Sequence, residues 1–487
     1  MGRQKVLNKT GILANEVQIH FLFGFLFSRL GFGGGDAPDA RQKIEPSIDD
    51  AIRRKWQSER GAADLSIAIK VSNTDGSPQN IIQYYLLLDD PFLSVTIPAI
   101  PVGIIEKTET GSNQWASASL TRHIRLHESG MGICRAVLRL DPAAGGHPPV
   151  SAADITSLAD VGSPISEVPD DPAAAKALGR RSLSIDVKDE GTSIYSLCMR
   201  DVDCLYAALK PLYSDLSWIE RDNRVARVDW RDKAKDHFQN PYVFTCLEIP
   251  DVLFRQIEPT AGRDVDSAQR PMTLERDLET LVFRRVEPLK TSRDYVRLYA
   301  ESVDDRLANM SVSSRVFVNV HIRSTVFISA DVEQSRYIRG ALLPTIIDTL
   351  ELMRMRWYAY VILNRYLDIH ATNLLREYGS LEEDLSGATK RLEDCQNRII
   401  TTKSELLRAL EVPLSYRRAS ATATTLYDVS ERLFDMKELQ DIIVKKSDCL
   451  DRLYRNITDA RRRAELKAID PVFEKIIGEA RREVRDA

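Results

Sequence analysis

The chain has 487 residues, of which 43% are apolar and 28% charged, and a formal charge of -4. That length holds two to four domains, the apolar share excludes a wholly disordered chain, and the small net charge argues against nucleic-acid binding driven by bulk charge. The six cysteines (Cys134, Cys198, Cys204, Cys246, Cys395 and Cys449) never approach Cys-x-x-Cys spacing. They read as reduced core thiols of a cytoplasmic protein, not as zinc ligands or a disulfide framework.

The first periodic stretch places Val17, Ile19, Phe21, Phe23, Phe25 and Phe27 on one side of a strand, with Glu16, Gln18, His20, Gly24 and Ser28 between them. Such a phenylalanine-rich face needs a core or a partner to cover it. The apolar run Phe21 to Phe27 is far shorter than the ~20 residues of a membrane helix, and it lacks signal-peptide flanks, so no membrane span is expected. Gly31 to Gly35 followed by Asp36 reads as a loop, because no Gly-Lys-Ser/Thr follows to hold a phosphate. Further strands are expected at Ser66 to Val71, Ile81 to Leu88 and Leu93 to Ile105. A hairpin pairs Leu120 to His127 with Ile133 to Leu140 around Glu128 to Gly132. His123 and His127 have the spacing of a helical metal pair, but in a strand they stand about 13 Å apart and cannot share an ion. Residues 1–140 therefore form a β-rich region.

Residues 141–178, rich in Pro, Gly, Ala, Ser and Asp, read as a linker or exposed insertion. Residues 179–334 alternate strand and helix signals: strand from Leu183 to Val187, helix from Asp201 to Tyr213, strand from Tyr242 to Ile249. Helices follow at Leu274 to Phe283 and Ser292 to Ala300, then strands from Val316 to Ile322 and Thr325 to Ser329. This is an α/β region.

From Ile346 to Ala409 a 4,3 spacing continues without a skip through Leu350, Trp357, Asn364, Leu367, Leu374, Leu381 and Leu392. A seam at 3.5-residue spacing keeps one stripe facing a partner helix, and an unbroken helix of this length would reach roughly 95 Å. Those seven residues are the candidate interface. Pro413 breaks the helix, and a loop ends in Ser420 to Thr425. A second helix follows, with Leu426, Val429, Leu433, Met436, Ile443, Leu450, Leu453 and Ile457 as its stripe. It is expected to return antiparallel, making residues 335–468 a helical hairpin or coiled coil. Asp470-Pro471 reads as cap and first residue of a short terminal helix over 469–487. The fold class expected is α+β: a β-rich and α/β head followed by a long antiparallel helical stalk.

One constellation carries a mechanism. Pro169-Asp170 followed by Asp186-Val187-Lys188 matches the short pattern of magnesium-dependent nucleases, in which Asp170 and Asp186 would hold the ion and Lys188 would assist. Asp89-Asp90 before Pro91 reads as a turn, no Gly-x-Ser-x-Gly elbow occurs, and Arg461-Arg462-Arg463 reads as solvated helix surface. Trp357, Tyr360 and Tyr378 lie in the seam as packing rather than as a base-stacking platform.

In the order of its elements, the region from Leu183 to Leu466 resembles the soluble part of CorA-type metal-ion transport proteins, whose α/β domain feeds a very long helix. The resemblance implies a ligand- or metal-sensing head. The family's Gly-Met-Asn signature is absent, the nearest string being Gly130-Met131-Gly132, so ion conduction is not implied and no functional residue is carried over. The function expected is an interaction or scaffold protein that forms a homo-oligomer through its stalk, with room for another protein partner and no cofactor. Magnesium enters only if the chain is a nuclease or a CorA-like sensor.

Overall fold

A computed structural model of the chain describes residues 14, 16–28, 38–61, 64–69, 92–127, 130–140, 150–162, 171–177, 181–187, 193–213, 216–219, 241–257, 316–320, 324–331, 338–379, 390, 397, 400 and 421–486. The strands are β1 (Glu16–Leu26), β2 (Ser66–Ile69), β3 (Leu93–Thr108), β4 (Gly111–Leu126), β5 (Met131–Leu140), β6 (Ser182–Asp186), β7 (Tyr242–Pro250), β8 (Val316–Val320) and β9 (Ser324–Asp331). The helices are α1 (Pro38–Arg60), α2 (Ala152–Asp160), α3 (Pro172–Ala177), α4 (Ile194–Leu209), α5 (Asp251–Ile257), α6 (Leu343–Gly379), α7 (Ala421–Leu433) and α8 (Met436–Asp486).

All nine strands join one sheet, in the order β2-β3-β4-β5-β1-β7-β9-β8, with β6 pairing β3 beyond the end of β2. Pairing is antiparallel except between β7 and β9. The β4–β5 hairpin forms as expected, and Gly130 turns it with φ +85, where a Cβ would fall 2.2 Å from the Phe27 carbonyl oxygen. Only glycine fits there.

Because side chains alternate along a strand, register divides the sheet into two faces. Phe21, Phe23, Phe25 and Phe27 of β1 share one face with Cys134 and Ala136 of β5, Leu120 and Ile124 of β4, and Val243 and Leu247 of β7. This face meets Ile48, Ile52 and Trp56 of α1, Ile155 and Leu158 of α2, and Leu197, Val202 and Leu205 of α4 in one apolar core. The phenylalanine face is thus covered within the chain. The opposite face carries His20, Leu22 and Gly24 of β1, Arg135 of β5, His123 and Arg125 of β4, and Tyr242 and Phe244 of β7. The first half of α6 covers it. A Cβ on Gly24 would lie 2.5 Å from the ring of Tyr358, so the absent side chain lets α6 approach the sheet. Phe434, just after α7, packs its ring against Tyr242 at 5.5 Å and against Trp357 at 6.4 Å.

The chain divides into two compact units, one of Met1–Tyr358 with Pro413–Asp435, the other of Ala359–Val412 with Met436–Ala487. In the second unit α6 buries Tyr360, Leu363, Leu367, His370 and Leu374, a 3,4 alternation. On α8 the buried Met436, Ile443, Leu450 and Ile457 recur every seven residues. Seven-residue recurrence keeps one stripe of a helix against its neighbours.

Several expectations are corrected. Residues 150–162 are not open linker. Ser151 caps α2, donating its backbone N–H to Asp154 at 3.0 Å while its hydroxyl accepts from the Asp154 N–H at 3.3 Å, and Ile155 and Leu158 enter the core. Composition pointed to a loop, but the cap and two apolar residues are enough to hold a short helix on the sheet. Thr424 and Thr425 are helical, the first turns of α7, despite β-branching. α8 runs through Pro471, and no separate terminal helix begins there. In the second unit Lys446 of α8 donates to Asp368 of α6 at 2.8 Å. Residues 380–420, apart from 390, 397 and 400, lie outside the described residues. The expected elements at Ile81 to Leu88, Leu274 to Phe283 and Ser292 to Ala300, the Gly31 loop and Asp89-Asp90 also lie outside them. Cys134, Cys198 and Cys204 are buried free thiols as expected, whereas Cys449 is exposed. Among the described residues no helix is long and apolar enough to cross a membrane.

Candidate functional site

The charged residues that α6 carries into the first unit define the candidate site. From Thr349 to Arg356 every side chain of this helix is buried, including Glu351, Arg354 and Arg356. A helix buried on all sides is ordinarily apolar all round, so three ionic groups within six residues need partners.

Glu351 finds its partners on the polar side of the sheet. Arg125 Nη1 donates to Glu351 Oε2 at 2.7 Å and to Asp348 Oδ1 at 2.5 Å, while Arg135 Nη1 stands 3.0 Å from Glu351 Oε1. Two guanidiniums thus face two carboxylates, Glu351 deeply buried and Asp348 open to solvent. Burial pushes the Glu351 carboxyl above its ordinary range, against the pull of Arg135 and Arg125.

Two histidines border this ionic cluster. His123 lies directly across from Arg135 in the β4–β5 ladder, and its Nδ1 shares a hydrogen bond with the Thr96 hydroxyl at 3.1 Å. His20 sits one diagonal step from Arg135 on β1, edge-on to Phe244 at 5.2 Å, and is 4% exposed. Neither of its ring nitrogens has a hydrogen-bond partner. Burial, then Arg135, then His123 hold the His20 imidazole well below its ordinary 6.5. The same combination of burial and nearby arginines, Arg135 and then Arg125, takes His123 down to about 4. Both rings are neutral at neutral pH.

The next turn of α6 pairs cations with aromatic groups. The Arg354 guanidinium lies 4.1 Å from the centre of the Trp357 ring, and burial lowers it to about 10. Arg356 donates to the Tyr427 hydroxyl of α7. Tyr242 shares a 2.6 Å hydrogen bond with Thr325 across the β7–β9 pair, and burial pushes its phenol up. Chemically, this arrangement fixes a helix to a sheet by charge and hydrogen-bond matching. Each polar row admits one axial setting of α6.

The residues singled out from sequence fall elsewhere. Asp186 ends β6, exposed, across from Gly103 on β3, and Asp170 and Lys188 lie outside the described residues. Among the described residues no group of three or more His, Cys, Asp or Glu side chains converges as metal ligands. Of the candidate interface, Leu350, Leu367 and Leu374 are buried and Trp357 and Asn364 part-buried, while Leu381 and Leu392 lie outside the described residues. The Asn364 Oδ1 atom is itself buried with no hydrogen-bond partner, and the neighbouring Leu363 is the more deeply buried seam position. Sequence reading missed His20, Arg125, Arg135 and Glu351 as a cluster. Its one local signal was the insertion of Asp348, Thr349, Glu351, Arg354 and Arg356 into the otherwise apolar run from Ile346 to Leu363. Compared with known proteins, the chain matches no protein-family model, no curated protein and no solved structure.

Proposed function

We propose that the protein is an interaction or scaffold protein that self-associates through its helical second unit, with the sheet-bearing first unit as head. The observation that carries this reading is where apolar surface remains exposed. Leu375, Ile400, Ile442, Val444, Leu466 and Val472 all belong to the second unit, against Leu212 and Val252 in the first. Val444 and Leu466 lie about 40° apart around α8 at 3.6 residues per turn, far from its buried heptad stripe. A helix of 51 residues, about 77 Å at 1.5 Å per residue, offers a long line of contact to a second copy. The buried free thiols suit a reducing, cytoplasmic setting.

The magnesium-dependent nuclease alternative rests on Asp186, which among the described residues joins no group of three or more metal-ligating side chains. The CorA-like alternative rests on the order of sheet and long helix alone.

Sedimentation of the full chain tests the proposal. The wild type should sediment as an oligomer, and Val444→Glu combined with Leu466→Glu should reduce its mass to that of one chain with the helical circular dichroism unchanged. A wild-type chain that is monomeric at micromolar concentration, or a double variant of unchanged mass, overturns it.

A further inference from the structure

The two faces of the sheet are sealed by different physics. The phenylalanine side is closed by an apolar core, and by strand register His20 and His123 lie on the opposite face. The α6 side is closed by an ionic cluster of Arg125, Arg135, Asp348 and Glu351, bordered by the two neutral imidazoles. We propose that this second seam is an acid-released latch: protonation of His20 and His123 detaches the first half of α6 from the sheet while the phenylalanine-side layer stays in place. The latch lies wholly in the first unit, so it is independent of self-association.

The argument rests on which groups face the imidazoles. From β5 comes Arg135, from β4 Arg125, and from β3 only the neutral Thr96 hydroxyl. From β7 come Phe244 and, one rung on, Tyr242. From α6, Glu351 and Asp348 meet Arg125, Glu351 also meets Arg135, and Arg354 follows on the next turn. Further along the face, Glu16 of β1 is taken by Arg139 of β5 at 2.8 Å, and Glu248 of β7 lies across from Glu16. At neutral pH the cluster balances, two arginines against two carboxylates. Two imidazolium charges beside Arg135 and Arg125 unbalance it; the buried Glu351 carboxyl, raised in the closed state, binds its one proton more readily there and so opposes release, against the two imidazoles that favour it. His20 has no acceptor waiting for its proton in the closed state. Water entering beneath α6 solvates all of these charges at once. The released state therefore binds more protons than the closed state below the ordinary histidine range, and falling pH drives release. Across the sheet, Arg122 of β4 pairs with Asp201 at 2.5 Å on the face opposite His20 and His123, so that layer lacks their trigger.

Hydrogen exchange on the full chain, corrected for intrinsic rates, tests the proposal from pH 7 down to pH 4.5. Peptides covering 343–358 should lose protection by at least about tenfold, since linkage allows up to about tenfold per pH unit for each extra proton bound, while peptides of α1 and α4 keep theirs. His20→Phe with His123→Gln should abolish this selective loss. His123→Gln alone, at the more accessible site, should move its midpoint to lower pH and serves if the double variant does not fold. Equal loss in both layers, no loss in the wild type, or an unshifted midpoint in His123→Gln overturns the latch.

Discussion

Truncating Glu351 tests the central claim that α6 is held to the sheet by charge. Its side chain is 4% exposed, it is contacted by two guanidiniums at 2.7 and 3.0 Å, and Arg135 on the far side is only 13% exposed. Glu351→Ala leaves Arg135 in place without the carboxylate that neutralises it, and breaking a buried pair by removing one partner costs about 3–5 kcal/mol. Asp348→Ala removes a carboxylate that touches the same Arg125 but is 43% exposed, so water replaces most of what is lost and the cost is about 1 kcal/mol or less. Glu351→Gln keeps the shape and removes the charge, and should retain most of the Ala penalty. All five tryptophans (Trp56, Trp115, Trp218, Trp230 and Trp357) belong to the first unit, so urea denaturation followed by tryptophan fluorescence reports that unit specifically. A Glu351→Ala loss below about 1 kcal/mol, or no larger than that of Asp348→Ala, would show that the α6 seam is held by apolar burial and that the ionic cluster is incidental.

In the second unit, Ile443→Ala should cost about 2–5 kcal/mol as a cavity in the heptad stripe, while the nearby exposed Lys445→Ala should fall within about 0.5 kcal/mol of wild type. Chemical denaturation read by far-ultraviolet circular dichroism checks both, and equal costs would mean that the stripe is misassigned. Asn364→Leu should raise stability by about 1–3 kcal/mol by removing a buried amide oxygen that has no hydrogen-bond partner. A lower melting temperature would show that the amide is satisfied in solution.

Wherever hydrogen bonding and burial depend on near neighbours, the chain could be read directly. Alternation from Val17 to Phe27 specifies a strand whichever surface covers it, the glycines around Met131 specify a hairpin, and spacing from Ile346 to Leu374 specifies a helix, because each period is a property of local backbone geometry. The same periods mislead where one side chain outweighs composition: Ser151, with Asp154 to answer it, starts a helix in a stretch that otherwise reads as linker. What only the tertiary structure decided is which residues share a neighbourhood. Arg125 and Glu351 are 226 positions apart, and no local rule links the polar rows of β4 and β5 to one turn of α6. Nor could periodicity say that Ile346 and Leu350 belong to the unit built around the sheet, since a stripe records that a face is covered and not what covers it. Pairing partners and helix direction depend on the path of the chain between elements, and that path is settled by the whole set of long-range contacts together.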